Sequence, residues 1–107
     1  MRKSQSENRR TSTKVPIVRL RLYIAGDAPN SVRAIANLTA ICREHLLDRH
    51  NIEIVDVFRE PTRALADGIL LTPMLVKLSP LPVRRILGSL SQSQPVLHAL
   101  GLSESSE

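Results

Sequence analysis

The hydrophobic pattern in the first half of the chain changes its period twice. Residues 17–25 alternate between aliphatic side chains and arginine or tyrosine, which is typical of a strand with one buried face. After a cluster of turn residues, apolar side chains recur every three or four positions up to Leu46. This spacing predicts a helix that begins at Asn30 or Ser31, either of which can cap free N–H groups. Residues 52–58 are rich in β-branched side chains and predict a second strand, parallel to the first because a helical crossover joins them.

The second half is predicted to contain a short helix, two strands and a final helix. Pro61 lies in the first turn of the short helix. Its apolar face is predicted to consist of three residues, Ala64, Leu65 and Ile69. Residues 74–78 and 83–87 predict two strands linked by a proline-rich turn. Residues 91–94 have the Ser-x-x-Gln form of a capping box, and Gly101 is expected to end the last helix.

The predicted order β-α-β-α-β-β-α places the chain in the α/β class with the thioredoxin arrangement. The Thr72-Pro73 step stands where thioredoxins have a cis proline beside their active site. The loop after the first strand, where thioredoxins hold reactive cysteines, has no thiol. The chain's one cysteine, Cys42, falls on the apolar stripe of the first helix and is predicted to be buried and inert rather than a redox sensor. The fold by itself therefore indicates no reaction.

Composition predicts one domain with a thin core. The chain has 107 residues, and Tyr23 and Phe58 are its only aromatic residues, so small aliphatic side chains must fill the interior. Such a small core often gains stability from oligomerisation. Residues 1–14 carry five Lys or Arg residues against one Glu and are predicted to be a disordered basic tail. The domain is predicted to cover residues 15–102, and residues 103–107 a second disordered tail.

Charge and motif content disfavour several classes of function. Without the basic tail the domain is only mildly basic and lacks aromatic stacking platforms, so nucleic-acid binding is not expected. No secretory signal or membrane-spanning stretch is present in the sequence, so a cytoplasmic location is expected. No cofactor or metal is predicted either. The three histidines, His45, His50 and His98, lack the spacing of metal ligands, and no glycine-rich phosphate loop exists.

Four separated sequence blocks resemble the KaiB family of the bacterial Kai circadian clock. They are YIAGDAPNSVRA, IVDV, the Leu71-Thr72-Pro73 step and PVRRILG, in the order and spacing of the family, within residues 18–102. The resemblance implies a non-enzymatic regulatory protein that docks on KaiC, a hexameric ATPase, in circadian timing or a related stress-adaptation system. It also implies KaiA, or a clock-associated histidine kinase that competes for the same surface, as further members of the system.

The resemblance further implies two alternative folds. One is a resting homo-oligomer, a tetramer or dimer, with the order β-α-β-β-α-α-β, and the other is a monomeric binding state with the thioredoxin arrangement. The residues assigned to the segment that changes fold, or to its hinge, are Pro73, Pro80, Pro82, Gly88 and Ser89. Prolines allow slow cis-trans isomerism, which would make such a change slow. The alternative is that these prolines are ordinary turn residues.

Five residues are predicted to bind the partner: Tyr23, Asn30, Arg33, Arg84 and Arg85. The resemblance favours contacts between the arginines and acidic groups of a KaiC-like ring, since arginine makes bidentate contacts with carboxylates. Each residue also has a structural alternative. The arginines of the hairpin are then solvated charges on a sheet edge, Asn30 is a helix cap, and Tyr23 packs under a helix.

The alternative function is that of a thioredoxin-like redox or stress protein acting without a KaiC partner. A single cysteine excludes dithiol exchange within one chain. A monothiol mechanism requires an exposed thiol with a lowered pKa. Rapid alkylation of Cys42 in the native protein is the observation that would favour this alternative.

Overall fold

The structure, a computed structural model, describes residues 16–102. Seven elements follow one another in the predicted order. They are β1 (Val18–Ile24), α1 (Pro29–His45), β2 (His50–Asp56), α2 (Pro61–Ala66), β3 (Met74–Ser79), β4 (Arg84–Leu87) and α3 (Ser93–Ala99). The two tails predicted to be disordered, residues 1–14 and 103–107, lie outside the described residues.

The four strands form one sheet in the order β2-β1-β3-β4. The central strand β1 is parallel to β2, with Leu20 opposite Ile52, and antiparallel to β3, with Leu22 opposite Leu75. Strands β3 and β4 form an antiparallel hairpin. The predicted parallel crossover and the predicted α/β class are confirmed, although β2 begins and ends two residues earlier than the sequence predicted.

Helices cover both faces of the sheet, so the protein has three layers. On one face, α1 and α3 enclose a core that contains Leu20, Leu22, Leu38, Leu75 and Val96. On the other face, the short helix α2 and the loop after it cover a second, smaller cluster. That cluster consists of Tyr23, Val55, Ala64, Ile69 and Val76. Strand β1 is therefore buried on both faces at its carboxyl end, where its sequence alternation predicted one wetter face.

The predicted start of α1 was wrong by one or two residues. The helix begins at Pro29, and no side chain caps it. Proline suits the first helical position because its fixed φ matches the helix and its missing N–H needs no partner. The hydroxyl of Ser31 instead accepts a hydrogen bond from the N–H of Ala25 at 3.0 Å. Ser31 therefore fastens the loop after β1 to the helix rather than capping the helix.

The predicted capping box of the last helix was also wrong, whereas its predicted end was right. Helix α3 begins at Ser93, and the residue before it makes no side-chain cap. Leu90, whose side chain is buried, adopts a left-handed φ of 64°, so the chain is still turning where the capping box was expected to begin. Gly101 has a φ of 81° just beyond the helix, a conformation that glycine adopts without steric cost.

Within residues 16–102, no helix is both long and apolar enough to cross a membrane.

Candidate partner-binding surface

Arg84 and Arg85 point to opposite faces of the sheet because successive residues of a strand alternate. Arg85 lies opposite Val76 and turns towards the side covered by α2. Its guanidinium donates to the carbonyl of Asp67 at 2.8 Å and to that of Gly68 at 3.5 Å. These carbonyls follow the end of α2, so Arg85 joins β4 to the α2–β3 loop. The two arginines, predicted together as partner-binding residues, therefore lie on opposite faces of the sheet, and the guanidinium of Arg85 is already hydrogen-bonded within the chain.

Arg84 is exposed and lies opposite Lys77 on the other face. Its guanidinium makes no ion pair with residues 16–102 and is available to an external acidic group. Lys77 is buried, and burial lowers the pKa of its ammonium, with the charge of Arg84 lowering it further. Sequence reasoning missed Lys77, although a lone lysine in an apolar strand was the signal for it. Together the two cations make this side of the hairpin attractive to a carboxylate.

Tyr23 lies in the core of this conformation and not on its surface. The ring packs with Ala64 and Val76 beneath α2. Its hydroxyl donates a hydrogen bond to Asp67 Oδ2 and accepts one from Arg21 Nη1 at 3.4 Å. Burial, followed by the bond to Asp67, raises the pKa of the phenol. The prediction that Tyr23 contacts a partner therefore does not hold in this conformation. Helix α2 covers the face of β1 that the sequence pattern had left open to solvent.

Asn30 and Arg33 lie together on the first turn of α1, and both are exposed. Arg33 Nη1 donates to Asn30 Oδ1 at 2.7 Å. Asn30 is therefore not a cap, since its side chain holds the guanidinium of Arg33 instead. One turn further along the same helix, Asn37 Nδ2 donates to the carbonyl of Ser89 at 2.8 Å. This bond fastens α1 to the segment that follows β4.

Three of the residues assigned to the fold change, Pro73, Gly88 and Ser89, meet at the open end of the β3–β4 hairpin, whereas Pro80 and Pro82 lie in the turn at its other end. The N–H of Gly88 donates to the carbonyl of Pro73 at 2.9 Å, and Ser89 follows with its carbonyl bound to Asn37. Gly88 has a φ of 113°, which favours glycine. The peptide bonds before Pro73, Pro80 and Pro82 are all cis. A cavity of about 290 Å³, lined in part by Gly88, Ser89 and Leu90, lies beside this junction.

An ion-pair network on the α2 side connects two strands to the helix. Arg21 Nε lies 2.9 Å from Glu53 Oε1, and Arg63 Nη2 lies 2.7 Å from Glu53 Oε2. The bond from Arg21, followed by that from Arg63, lowers the pKa of Glu53. Because the folded state favours the ionised carboxylate, this contribution to stability is present above the ordinary glutamate pKa. It is lost as the pH falls through the lowered value.

Three exposed leucines lie in α2 and in the loop after it, and they were not predicted as surface residues. Leu65 is 69% exposed, although it was expected on the buried face of α2, and Leu70 and Leu71 are 83% and 61% exposed. The prediction for Leu65 was wrong because this helix has only six residues and buries one of them, Ala64. The leucines flank the turn to which Arg85 is bonded, so apolar and cationic groups adjoin there, as in protein interfaces.

We expect Cys42 to react slowly with alkylating reagents in the native protein. The thiol is buried, as predicted, and burial raises its pKa to about 11. At neutral pH the thiolate is therefore scarce and shielded. Iodoacetamide labelling followed by mass spectrometry should show modification only after addition of denaturant. Labelling at similar rates in the native and denatured protein would contradict this and favour a redox function.

Among residues 16–102, no three His, Cys, Asp or Glu side chains come together as a metal site.

Comparisons with known proteins agree with the blocks found in the sequence. A family model described as KaiB domain matches residues 21–102. The circadian clock protein KaiB3 of Synechocystis sp. is 46% identical over 83 residues, which cover 78% of this chain and 81% of that protein. The circadian clock oscillator protein KaiB of Synechococcus elongatus gives the same identity and coverage.

Comparisons with solved structures show the fold. The N-terminal domain of Synechococcus elongatus SasA matches with a TM-score of 0.67 and 18% identity, covering 87% of this chain and 91% of that one. Chloroplastic thioredoxin z matches with a TM-score of 0.65 and 16% identity, covering 94% and 93%. The predicted thioredoxin-like fold is confirmed.

Proposed function

The chain belongs to the KaiB family of circadian clock proteins, and we propose that it is a non-enzymatic regulatory protein that docks on a KaiC-like hexameric ATPase. The observation that carries the proposal is the family match across residues 21–102, which includes both the start of α1 and the β3–β4 hairpin. The same match leaves two settings open, a circadian oscillator or a related stress-adaptation system.

The geometry supports docking through the side of the hairpin that carries Arg84. Arg84 is exposed and its charge is not neutralised by residues 16–102, while the buried Lys77 adds a second cation behind it. Arg33, held by Asn30 at the exposed start of α1, supplies a further guanidinium. Guanidinium groups match the carboxylates of an acidic partner surface. We assign Arg33 and Arg84 to direct contact with the ATPase.

Arg85 has a different role in this proposal. Its two hydrogen bonds to the carbonyls of Asp67 and Gly68 hold the α2–β3 loop against β4. The neighbouring leucines 65, 70 and 71 are thereby presented at the surface. Arg85 acts as a positioning residue for this apolar part of the interface.

Further partners and a second state belong to the same proposal. A KaiA-like protein or a clock-associated histidine kinase is proposed to share the system. The resting state is proposed to be a homo-oligomer, tetramer or dimer, with the order β-α-β-β-α-α-β. Residues 73–89 would then be the segment that changes fold, and the bond between Gly88 and Pro73 would form only in the thioredoxin-like state.

Size-exclusion chromatography with the KaiC-type ATPase of the same genome tests the proposal. The chain should co-elute with the ATPase ring in at least one nucleotide state, ATP or ADP, and elute alone without the ring. A chain in which both Arg33 and Arg84 are replaced by glutamate should stay separate. If the unmodified chain elutes alone with every nucleotide, the proposed function is wrong.

A further inference from the structure

Helix α1, which carries Arg33, begins without a capping side chain from residues 16–102. Its first residue is Pro29, and its first turn contains no acidic residue. Elsewhere a capping side chain ties the start of a helix to the residues around it, because it accepts a free N–H group there. Since α1 has no such cap, the position of its first turn depends on how the loop before it, residues 25–28, is held.

Two side chains hold this loop. The hydroxyl of Ser31, inside α1, accepts the N–H of Ala25 at 3.0 Å. The Oδ1 atom of Asp56, the last residue of β2, accepts the N–H of Gly26 at 3.1 Å. Gly26 has a φ of 55°, a left-handed conformation that glycine adopts without steric cost. The loop is therefore bonded both to the helix that follows it and to the neighbouring strand.

The carboxylate of Asp56 also holds the turn after β2. The same Oδ1 atom accepts the N–H of Phe58 at 2.9 Å, as in an Asx-turn. The carbonyl of Asp56 accepts the N–H groups of Arg59 and Glu60 at 3.0 and 2.9 Å. The ring of Phe58 lies over Gly26, since a methyl group at Gly26 would come within 3.4 Å of Cδ2 of that ring. One carboxylate oxygen thus joins the loop before α1 to the turn before α2.

We propose that Asp56 is a positioning residue for the contact between Arg33 and the ATPase. Arg33 lies on the first turn of α1, where its guanidinium donates to Asn30 Oδ1 at 2.7 Å, so a shift of the loop moves both residues together. A loop that is already anchored reduces the entropy lost when the contact forms. This role of Asp56 rests on the proposed function, in which Arg33 contacts the ATPase directly.

The negative charge of Asp56 is not what holds the loop. Both bonds to its Oδ1 atom come from uncharged backbone N–H groups. Its other oxygen, Oδ2, lies 3.9 Å from Nε of Arg59, whose side chain is 85% exposed, so that ion pair is weak. An asparagine side chain has an oxygen that can accept the same two bonds. Asp56→Asn is therefore the conservative variant that should preserve the role, and Asp56→Ala is the variant that removes it.

Hydrogen exchange measured by NMR tests the two bonds without the ATPase. In Asp56→Ala the amides of Gly26 and Phe58 should exchange at least about tenfold faster than in the unmodified chain, because both lose their acceptor. In Asp56→Asn they should exchange at nearly the unmodified rate. The amide of Leu22, in the middle of β1, is the internal control and should not change in either variant. Unchanged exchange of Gly26 in Asp56→Ala overturns the positioning role of Asp56.

Affinity for the KaiC-type ATPase tests the consequence for binding. Asp56→Ala should raise the dissociation constant about tenfold, because Arg33 is then less well placed before it binds. Asp56→Asn should stay within about threefold of the unmodified chain. Ile41→Val, a change in the buried face of α1 away from the loop, lowers stability and is the matched control, and it should also stay within about threefold. Equal weakening by Asp56→Ala and Ile41→Val would assign the effect to stability and overturn the positioning role.

A double-mutant cycle shows whether Asp56 acts through Arg33. In a chain that carries Arg33→Ala, the further change Asp56→Ala should alter the dissociation constant less than about twofold, since the positioned contact is already lost. In a chain that carries Arg84→Ala, the same change should still weaken binding about tenfold. Equal effects in both backgrounds overturn the role of Asp56 and leave the proposed function intact. If the unmodified chain binds the ATPase with no nucleotide, neither ATP nor ADP, the proposed function fails and the role of Asp56 with it.

Discussion

Replacing Tyr23 by alanine is expected to lower the free energy of unfolding by about 3–5 kcal/mol. Tyr23 is the largest of the fully buried side chains, and its ring fills the cluster between the sheet and α2. Its removal leaves a cavity and also leaves Asp67 without its hydroxyl partner. Urea denaturation followed by circular dichroism measures the loss.

Tyr23→Phe separates the ring from the hydroxyl. This variant keeps the packing and loses the bonds to Asp67 and Arg21, so a loss of about 1–2 kcal/mol is expected. The chain has one tyrosine and no tryptophan, so phenolate absorbance reports Tyr23 alone. Because its folded pKa is raised, stability should fall as pH rises through that value, and absorbance should change there. Titration at the ordinary tyrosine pKa, together with unchanged stability of Tyr23→Phe, would contradict the buried bond.

Charge reversal of Arg84 is expected to weaken binding to the KaiC-type ATPase about a hundredfold. The reversal replaces attraction between a guanidinium and a carboxylate by repulsion, a change of about 2–3 kcal/mol. The stability of the free chain should change little, because Arg84 makes no ion pair within residues 16–102. Fluorescence anisotropy of the labelled chain against the ATPase ring gives the affinity, and thermal denaturation gives the stability.

Two variants serve as controls for Arg84→Glu. Arg43→Glu makes the same change in net charge at an exposed position near the end of α1 and should leave the affinity within about threefold. Arg85→Ala removes the bonds to Asp67 and Gly68 and should lower stability by about 1–2 kcal/mol. If Arg43→Glu weakened binding as much as Arg84→Glu, the effect would be one of net charge and not of a contact at Arg84.

Periodicity was sufficient to predict the order of the elements and the parallel crossover. The alternation of apolar residues in β1 and their three- and four-residue spacing in α1 are local signals, because each pattern directly reflects which face of the element is buried. The helix starts were predicted less well. Ser31 was assigned a capping role that its hydroxyl does not have, because it bonds to Ala25 in the preceding loop. The path of the loop determines which of these local hydrogen bonds forms. A short segment of sequence does not determine that path.

The geometry around the candidate residues could not be predicted from the sequence. The matched blocks identified Arg33, Arg84 and Arg85, and strand alternation required the last two to diverge. The sequence did not indicate that Asp67 and Gly68 would provide carbonyls for Arg85, since 17 or 18 residues separate these partners. Tyr23 was left undecided between packing and contact for a similar reason. Whether α2 would cover that face depends on a tertiary arrangement and not on β1.

Hydrogen–deuterium exchange of the chain, alone and with the KaiC-type ATPase and nucleotide, tests the proposed docking most directly. We expect slower exchange on binding for peptides that contain β4 and the first turn of α1, and unchanged exchange for peptides of β2. Arg84→Glu should remove this protection. Unchanged exchange throughout the chain at saturating ATPase, or protection of β2 without β4, would contradict it.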